Sequence, residues 1–229
     1  MKRFYTNAAV TGTGPWSIAL DARPLRTPGR LPLDLPTRAL ADAIAAEWNA
    51  QGESIMPQSM PLTGLANAAI ERIATDTTSF AAGLARFAET ELLAYRADHP
   101  APLVSPQQAG WDPLLGWARA RYDVDFRLVT GVMHQPQPPE TLARIGAAYA
   151  AFDSFRLAAL NPIVTICGSA VIGLAVADGR IDAAQAWAIG HLDELWQAEQ
   201  WGKDPLAEAG HAERQADLDA AVRLLRLLR

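Results

Sequence analysis

A single cysteine among 229 residues leaves no partner for an intrachain disulfide. The fold must therefore be held by its core, and the chain suits a reducing compartment, with Cys167 read as a small buried apolar residue. Charge is scarce as well: Asp, Glu, Lys and Arg make up 20% of the chain, below the roughly 25% of ordinary soluble domains. What charge there is leans acidic, at net −5, which excludes nucleic acid as the main ligand because phosphate binding needs a basic surface. No apolar run follows the basic start Met1-Lys2-Arg3-Phe4-Tyr5, and nothing has the Arg- and Ser-rich composition of a transit peptide. The expected location is the cytoplasm. The longest apolar stretch, 163–177, falls short of the roughly 20 residues that cross a bilayer. It is expected to be the central helix of a soluble bundle, without membrane insertion, with Ser169, Gly173 and Ala177 giving a smooth face for close packing.

Catalytic signatures are missing too. Gly168-Ser169 suggests a serine nucleophile, but Cys167-Gly168-Ser169-Ala170-Val171 lies in a helical pattern and not on the strand-to-helix turn that chemistry needs. There is no phosphate-binding Gly-x-x-x-x-Gly-Lys loop, and Gly12-x-Gly14 lacks the third glycine and the helix of a dinucleotide site. The one enzyme class that keeps a foothold is a carboxylate-bridged metal centre in a helical bundle. Glu208 and His211 have the Glu-x-x-His spacing that puts two ligands on one helical face. His191 and Glu194 run in the reverse order and Glu89 and Glu91 point to different faces, so the ligand set does not close, and neither a metal nor a cofactor is expected.

Half of the chain, 50%, is hydrophobic, enough for a large core, and its pattern divides into two unequal domains. Residues 3–35 alternate in short runs punctuated by Gly and Pro, the pattern of an antiparallel meander. Asp21-Ala22 stands where a tight hairpin favours Asp-Gly, which suggests a longer or different turn. Arg23, Arg26 and Arg30 read as solvated strand edges. Thr37 caps a first helix with Leu40, Ile44, Ala45 and Trp48 on one face. A proline-bounded connector over 54–61 sets the expected boundary between a sheet-containing domain, 1–60, and a helical domain, 61–229. Helices are expected over 62–74, 78–95, 105–121, 139–160, 162–177, 182–203 and 205–228. A strand-like segment, 126–132, is expected to pair back onto the N-terminal sheet. The fold class is thus α+β: an antiparallel sheet domain followed by a mainly α-helical bundle.

The helix expected over 182–203 is apolar on two sides. Ala184, Ala188, Leu192, Leu195 and Trp196 share a stripe that Glu199 joins one turn beyond Leu195. Trp187, Glu194 and Trp201 share a second face, leaving Asp193, Gln197 and Gln200 to water. Two apolar faces require two neighbours, or one neighbour and one partner. Glu199 is then either paired internally, for instance with Arg96 or Arg156, or an acidic anchor framed by Trp196 and Trp201.

Several stretches together resemble a known family, the ATP synthase assembly chaperones of mitochondria and alpha-proteobacteria, the Atp-twelve family. They are Lys2-Arg3-Phe4-Tyr5, Leu20-Asp21-Ala22-Arg23-Pro24, Glu47-Trp48-Asn49-Ala50-Gln51-Gly52-Glu53, Met60-Pro61-Leu62-Thr63, Glu89-Thr90-Glu91-Leu92-Leu93-Ala94-Tyr95-Arg96, Trp111-Asp112-Pro113-Leu114-Leu115, Gly168-Ser169, and 193–202 with Trp196, Glu199 and Trp201. The resemblance implies a non-catalytic chaperone, monomeric when free. It would bind the unassembled alpha subunit of F-type ATP synthase and shield it until the beta subunit takes its place. It also implies a sheet-containing domain followed by a helical one, and partner-binding roles for the acidic residues Glu194 and Glu199, with Asp204 as a further candidate; Trp196 and Trp201 join them as the aromatic frame of the Glu199 anchor. Ala22 departs from the family's usual glycine. The start at the first strand, without a presequence, fits a bacterial cytoplasmic member, whereas eukaryotic relatives act in the mitochondrial matrix.

Overall fold

The computed structural model of the chain describes residues 1–131, 133–202 and 205–229, with side chains in the last stretch from 208 onward. Three strands come first: β1 (Ala8–Thr11), β2 (Ser17–Leu20) and β3 (Arg23–Pro24). Helices α1 (Arg38–Asn49), α2 (Pro61–Ala68) and α3 (Thr77–Ala85) follow, then β4 (Tyr95–Arg96), α4 (Ala101–Tyr122) and β5 (Val129–Thr130). The remainder is helical: α5 (Pro139–Ala150), α6 (Ser154–Cys167), α7 (Ala170–Ala177), α8 (Ala183–Gly190), α9 (Leu192–Trp201) and α10 (Pro205–Leu227). An antiparallel sheet followed by helices is the expected α+β order. The chain divides into two compact units: Met1–Thr77 with Asp153–Ala159 and Ala220–Arg229, and Thr78–Phe152 with Leu160–Asp219. The first unit thus runs past residue 60 and takes in two later segments.

In the first unit β1, β2 and β3 form an antiparallel meander in that order. Leu20 pairs with Arg23, so Asp21-Ala22 is a two-residue hairpin loop after all. Asp21 supplies the turn with its positive φ of 52°, and its carboxylate accepts from the amides of Thr6 and Asn7, a compensation that only a short acceptor side chain provides. The sheet buries Ile18, Leu20, Leu33 and Leu35 with Leu40 and Ile44 of α1. Thr37 caps α1 as expected, accepting from Leu40 N at 3.2 Å, and donates its own hydroxyl to the Leu227 carbonyl at 2.6 Å. Glu47, at the far end of α1, accepts from the amides of Leu62 and Thr63 and so caps α2.

The second unit is built around α7, whose side chains from Ala170 to Val176 are all buried. Four of the expected long helices are broken: 139–160 splits at residues 151–153 between α5 and α6, and the other three break at Glu91, Gly168 and His191. Within the helix expected over 78–95, α3 ends at Ala85, a tighter 3-10 run continues to Thr90, and Glu91 then leaves the helical region (φ −52°, ψ 117°). The break expected at Pro162 does not occur, for Pro162 lies inside α6. The chain turns instead at Gly168 (φ 63°) and restarts with Ser169 as the N-cap of α7. Gly173 is needed for close approach, since a Cβ there would lie 2.5 Å from both the Tyr149 hydroxyl and Val164 Cγ2. Segment 126–132 does not return to the N-terminal sheet: β5 pairs in parallel with β4, its own neighbour in this unit, while Val132 lies outside the described residues. No helix among the described residues is long and apolar enough to cross a membrane.

Candidate partner-binding surface

Helix α8 opens on a reciprocal capping box. Asp182 accepts from Gln185 N at 2.9 Å, and Gln185 returns a bond to Asp182 N at 3.0 Å. The helix expected to run on to residue 203 breaks at His191 (φ −114°, ψ 20°). His191 is buried, its ring stacked on Trp187 at 3.7 Å, with Nδ1 3.1 Å from the Trp187 carbonyl oxygen. Its Nε2 has no partner among the described residues, and burial pulls its pKa below the usual histidine value. The joint is tied to α4 on both sides of the break. Trp111 Nε1 donates to the Ile189 carbonyl at 3.0 Å, and Gln107 Nε2 donates to Asp193 at 2.8 Å.

This break undoes the expected stripe. Ala184 and Ala188 are exposed, and α8 buries Ala186 and Trp187 instead. Past His191 the helix restarts on a new face, with Leu192, Leu195 and Trp196 half-buried and no residue of α9 fully buried. Glu199 is exposed, with neither of the arginines considered for it as a partner. Arg96 pairs with Asp112 at 2.6 Å, and Arg156 pairs with Asp153. Trp201 is 75% exposed, an unusual cost for an indole, and meets Trp196 edge-on at 5.9 Å. Glu194 is held by His211 at 3.0 Å and Arg214 at 3.8 Å. Asp204 lies outside the described residues. The structure therefore brings Trp196, Glu199 and Trp201 onto one short helix that exposes Glu199 and Trp201 and leaves Trp196 half-buried, with Glu194 tied down at its first turn.

The metal alternative fares differently. His211 and Glu194 do meet, and the His191 ring lies 6.0 Å from that of His211, but no group of three or more ligands able to hold a metal forms among the described residues.

The buried glutamate lies elsewhere. Glu91 is fully buried, accepting from Ser169 Oγ and, at 3.2 Å, from Val171 N at the start of α7. Burial pushes its pKa up to about 7 against the opposing pull of those donors. Burial and the nearby Glu91 likewise raise Tyr149, whose hydroxyl donates to the Ala170 carbonyl at 2.8 Å, and push the Cys167 thiol up to about 12. The sequence signal was available in Glu91 standing directly before Leu92 and Leu93, and in Gly168-Ser169, but nothing links two stretches 78 positions apart.

Comparison with known proteins supplies what this geometry does not. Residues 2–119 match the ATP12 chaperone protein family. The chain is 47% identical to Atp12 from Paracoccus denitrificans, whose crystal structure superposes with a TM-score of 0.95 over 100% of this chain and 98% of that one. An aspartate-to-lysine variant of the Paracoccus protein matches at 46% identity, again with a TM-score of 0.95 and the same coverage. The mitochondrial protein atp12 of Schizosaccharomyces pombe is 26% identical over 214 residues, covering 88% of this chain and 74% of the relative.

Proposed function

The chain belongs to the ATP12 chaperone family, and from that membership we propose that it assists assembly of F-type ATP synthase by holding the unassembled alpha subunit. It does so without catalysis, as a monomer in the bacterial cytoplasm, until the beta subunit displaces it. The observation that carries the reading to a surface is Trp201, 75% exposed at the end of a helix with no buried residue. A large aromatic group left in water at such a position is the composition of an interface anchor. Trp196 supports it edge-on, and Glu199 adds an exposed carboxylate on the same short helix. Glu194 contributes by fixing the start of α9 through His211 and Arg214.

A few aromatic and charged anchors suit a holder that must let go, because affinity concentrated in them is lost when a competing subunit claims the same groups. The test is to unfold purified alpha subunit, dilute it with and without this protein, and follow light scattering beside an unrelated aggregating protein. Suppression confined to the alpha subunit, and lost in Glu199→Lys and Trp201→Ala, is the expected result. Equal suppression of both proteins, or none, refutes the client. Suppression that survives both substitutions moves the binding site off α9.

A further inference from the structure

We infer that the strand around β5 is a second docking site, which takes an extended, uncharged segment of a client chain by strand addition. For the identity of the chain that supplies the segment, this rests on the chaperone reading above.

From Asp125 to Gly131 one edge of this strand is covered at every second residue. Thr141 Oγ1 accepts from Asp125 N and donates to Asp125 O, both at 3.0 Å. The Gln137 carboxamide accepts from Arg127 N at 2.8 Å and donates to Arg127 O at 3.0 Å. Gly131 N donates to the Arg96 carbonyl beyond the β4 pairing. The backbone groups of alternate residues point to opposite edges, so those of Leu128 and Thr130, both exposed, point away from all three covers, while Phe126 before them is buried. No described residue meets them there. The same device closes an edge in the first unit, where the Asn49 carboxamide accepts from Ala8 N and donates to Ala8 O, both at 2.8 Å. Proteins ordinarily blunt a free edge in this way. Here the edge beside Leu128 is left open, and Leu128 itself is 54% exposed.

The surroundings state what the occupant must be. Two clefts, about 190 and 230 Å³, flank the strand against α4 and share Leu128 and Asp112; Leu115, Gly116 and Phe126 line the first, Gln108 and Thr130 the second. The ionic groups along them are already matched, Asp112 with Arg96 at 2.6 Å and Asp125 with Arg119. A charged ligand would have to break one of these pairs. The complementary ligand is therefore neutral and apolar in its side chains, with backbone donors and acceptors for the open edge. The run from Arg127 to Gly131 has room for roughly five residues at about 3.3 Å each. This chemistry differs from that of α9, so the two surfaces would hold different parts of one client.

The probe is a capped heptapeptide alternating threonine and valine, with a control methylated on the backbone nitrogens of its pairing edge. It is titrated into the full chain while amide hydrogen exchange is followed by NMR. The expected result is that exchange at Leu128 and Thr130 slows by about tenfold or more with the first peptide and is unmoved by the second. Leu128→Lys is expected to weaken binding about tenfold or more with an unchanged melting temperature. Equal binding of the two peptides, bound peptide that leaves these amides exchanging freely, or no binding at millimolar peptide each overturns the inference. None of these readings uses the alpha subunit, so they stand or fall apart from the scattering assay.

Discussion

Glu91 is a carboxylate sealed from water, and its energetics depend on whether it carries its charge. Burial favours the protonated form, while Ser169 Oγ and the Val171 amide favour the charged one. Its folded pKa, about 7, stands above the ordinary 4.5. The folded state thus keeps a proton that the unfolded chain releases, so this contribution is full below pH 4.5 and is lost as pH rises through 7. Wild type minus Glu91→Gln, compared by urea denaturation between pH 5 and 8, should show wild type losing stability with rising pH relative to the variant. A pH-independent difference would mean that the carboxyl does not titrate in this range. His191 acts in the opposite sense. Its pKa is held below the ordinary 6.5, so its contribution is present above that value and is lost as pH falls below it. On the exposed side of the same unit, Glu199→Lys and Trp201→Ala should each leave stability within roughly 0.5 kcal/mol of wild type by denaturant titration, because neither side chain is buried. A larger loss would make them structural residues and not anchors.

At the scale of elements, close packing around α7 is the strictest demand. Gly173→Ala places a methyl 2.5 Å from the Tyr149 hydroxyl and Val164, and should cost about 1–3 kcal/mol by thermal denaturation. A loss below a few tenths would mean that α7 shifts freely against Tyr149. The same region shows what a sequence conveys about helices. Apolar spacing located α1, α4 and α10, and residue type the cap at Thr37, because those signals are local. The breaks at Glu91, Gly168 and His191 were missed because each is stabilised by a group far along the chain: Ser169 for Glu91, Trp111 and Gln107 for the joint at His191. Proline, the local breaker, misled at Pro162, where α6 continues through it. For the candidate surface, the turn at His191 removed Ala184 and Ala188 from the expected stripe, whereas Glu199, one turn beyond Leu195 in the same helix, is exposed because α9 has no fully buried residue for the stripe to follow. Trp196 and Trp201 were legible as a pair because they lie within the unbroken part.

Across the whole molecule, charge is unevenly divided. The second unit has 17 acidic and nine basic residues, net −8, and the first has eight acidic and 11 basic, net +3. Much of the imbalance sits between residues 182 and 219, with nine acidic residues against two basic. If α9 meets a basic client, raising salt from 50 to 500 mM should slow association several-fold while barely changing dissociation, since screening acts on the encounter. Stopped-flow fluorescence of the tryptophans reads this directly, and salt-independent association would remove charge from the recognition step. The first unit has a different peculiarity. It draws on residues 220–229, and Leu227 accepts the hydroxyl of Thr37 across 190 positions. During synthesis, the segment that closes this unit emerges from the ribosome only after the whole acidic unit has been made. For most of its own translation, a protein read as guarding unfinished chains leaves one of its own units unfinished, with the carbonyl that takes the Thr37 hydroxyl still to come.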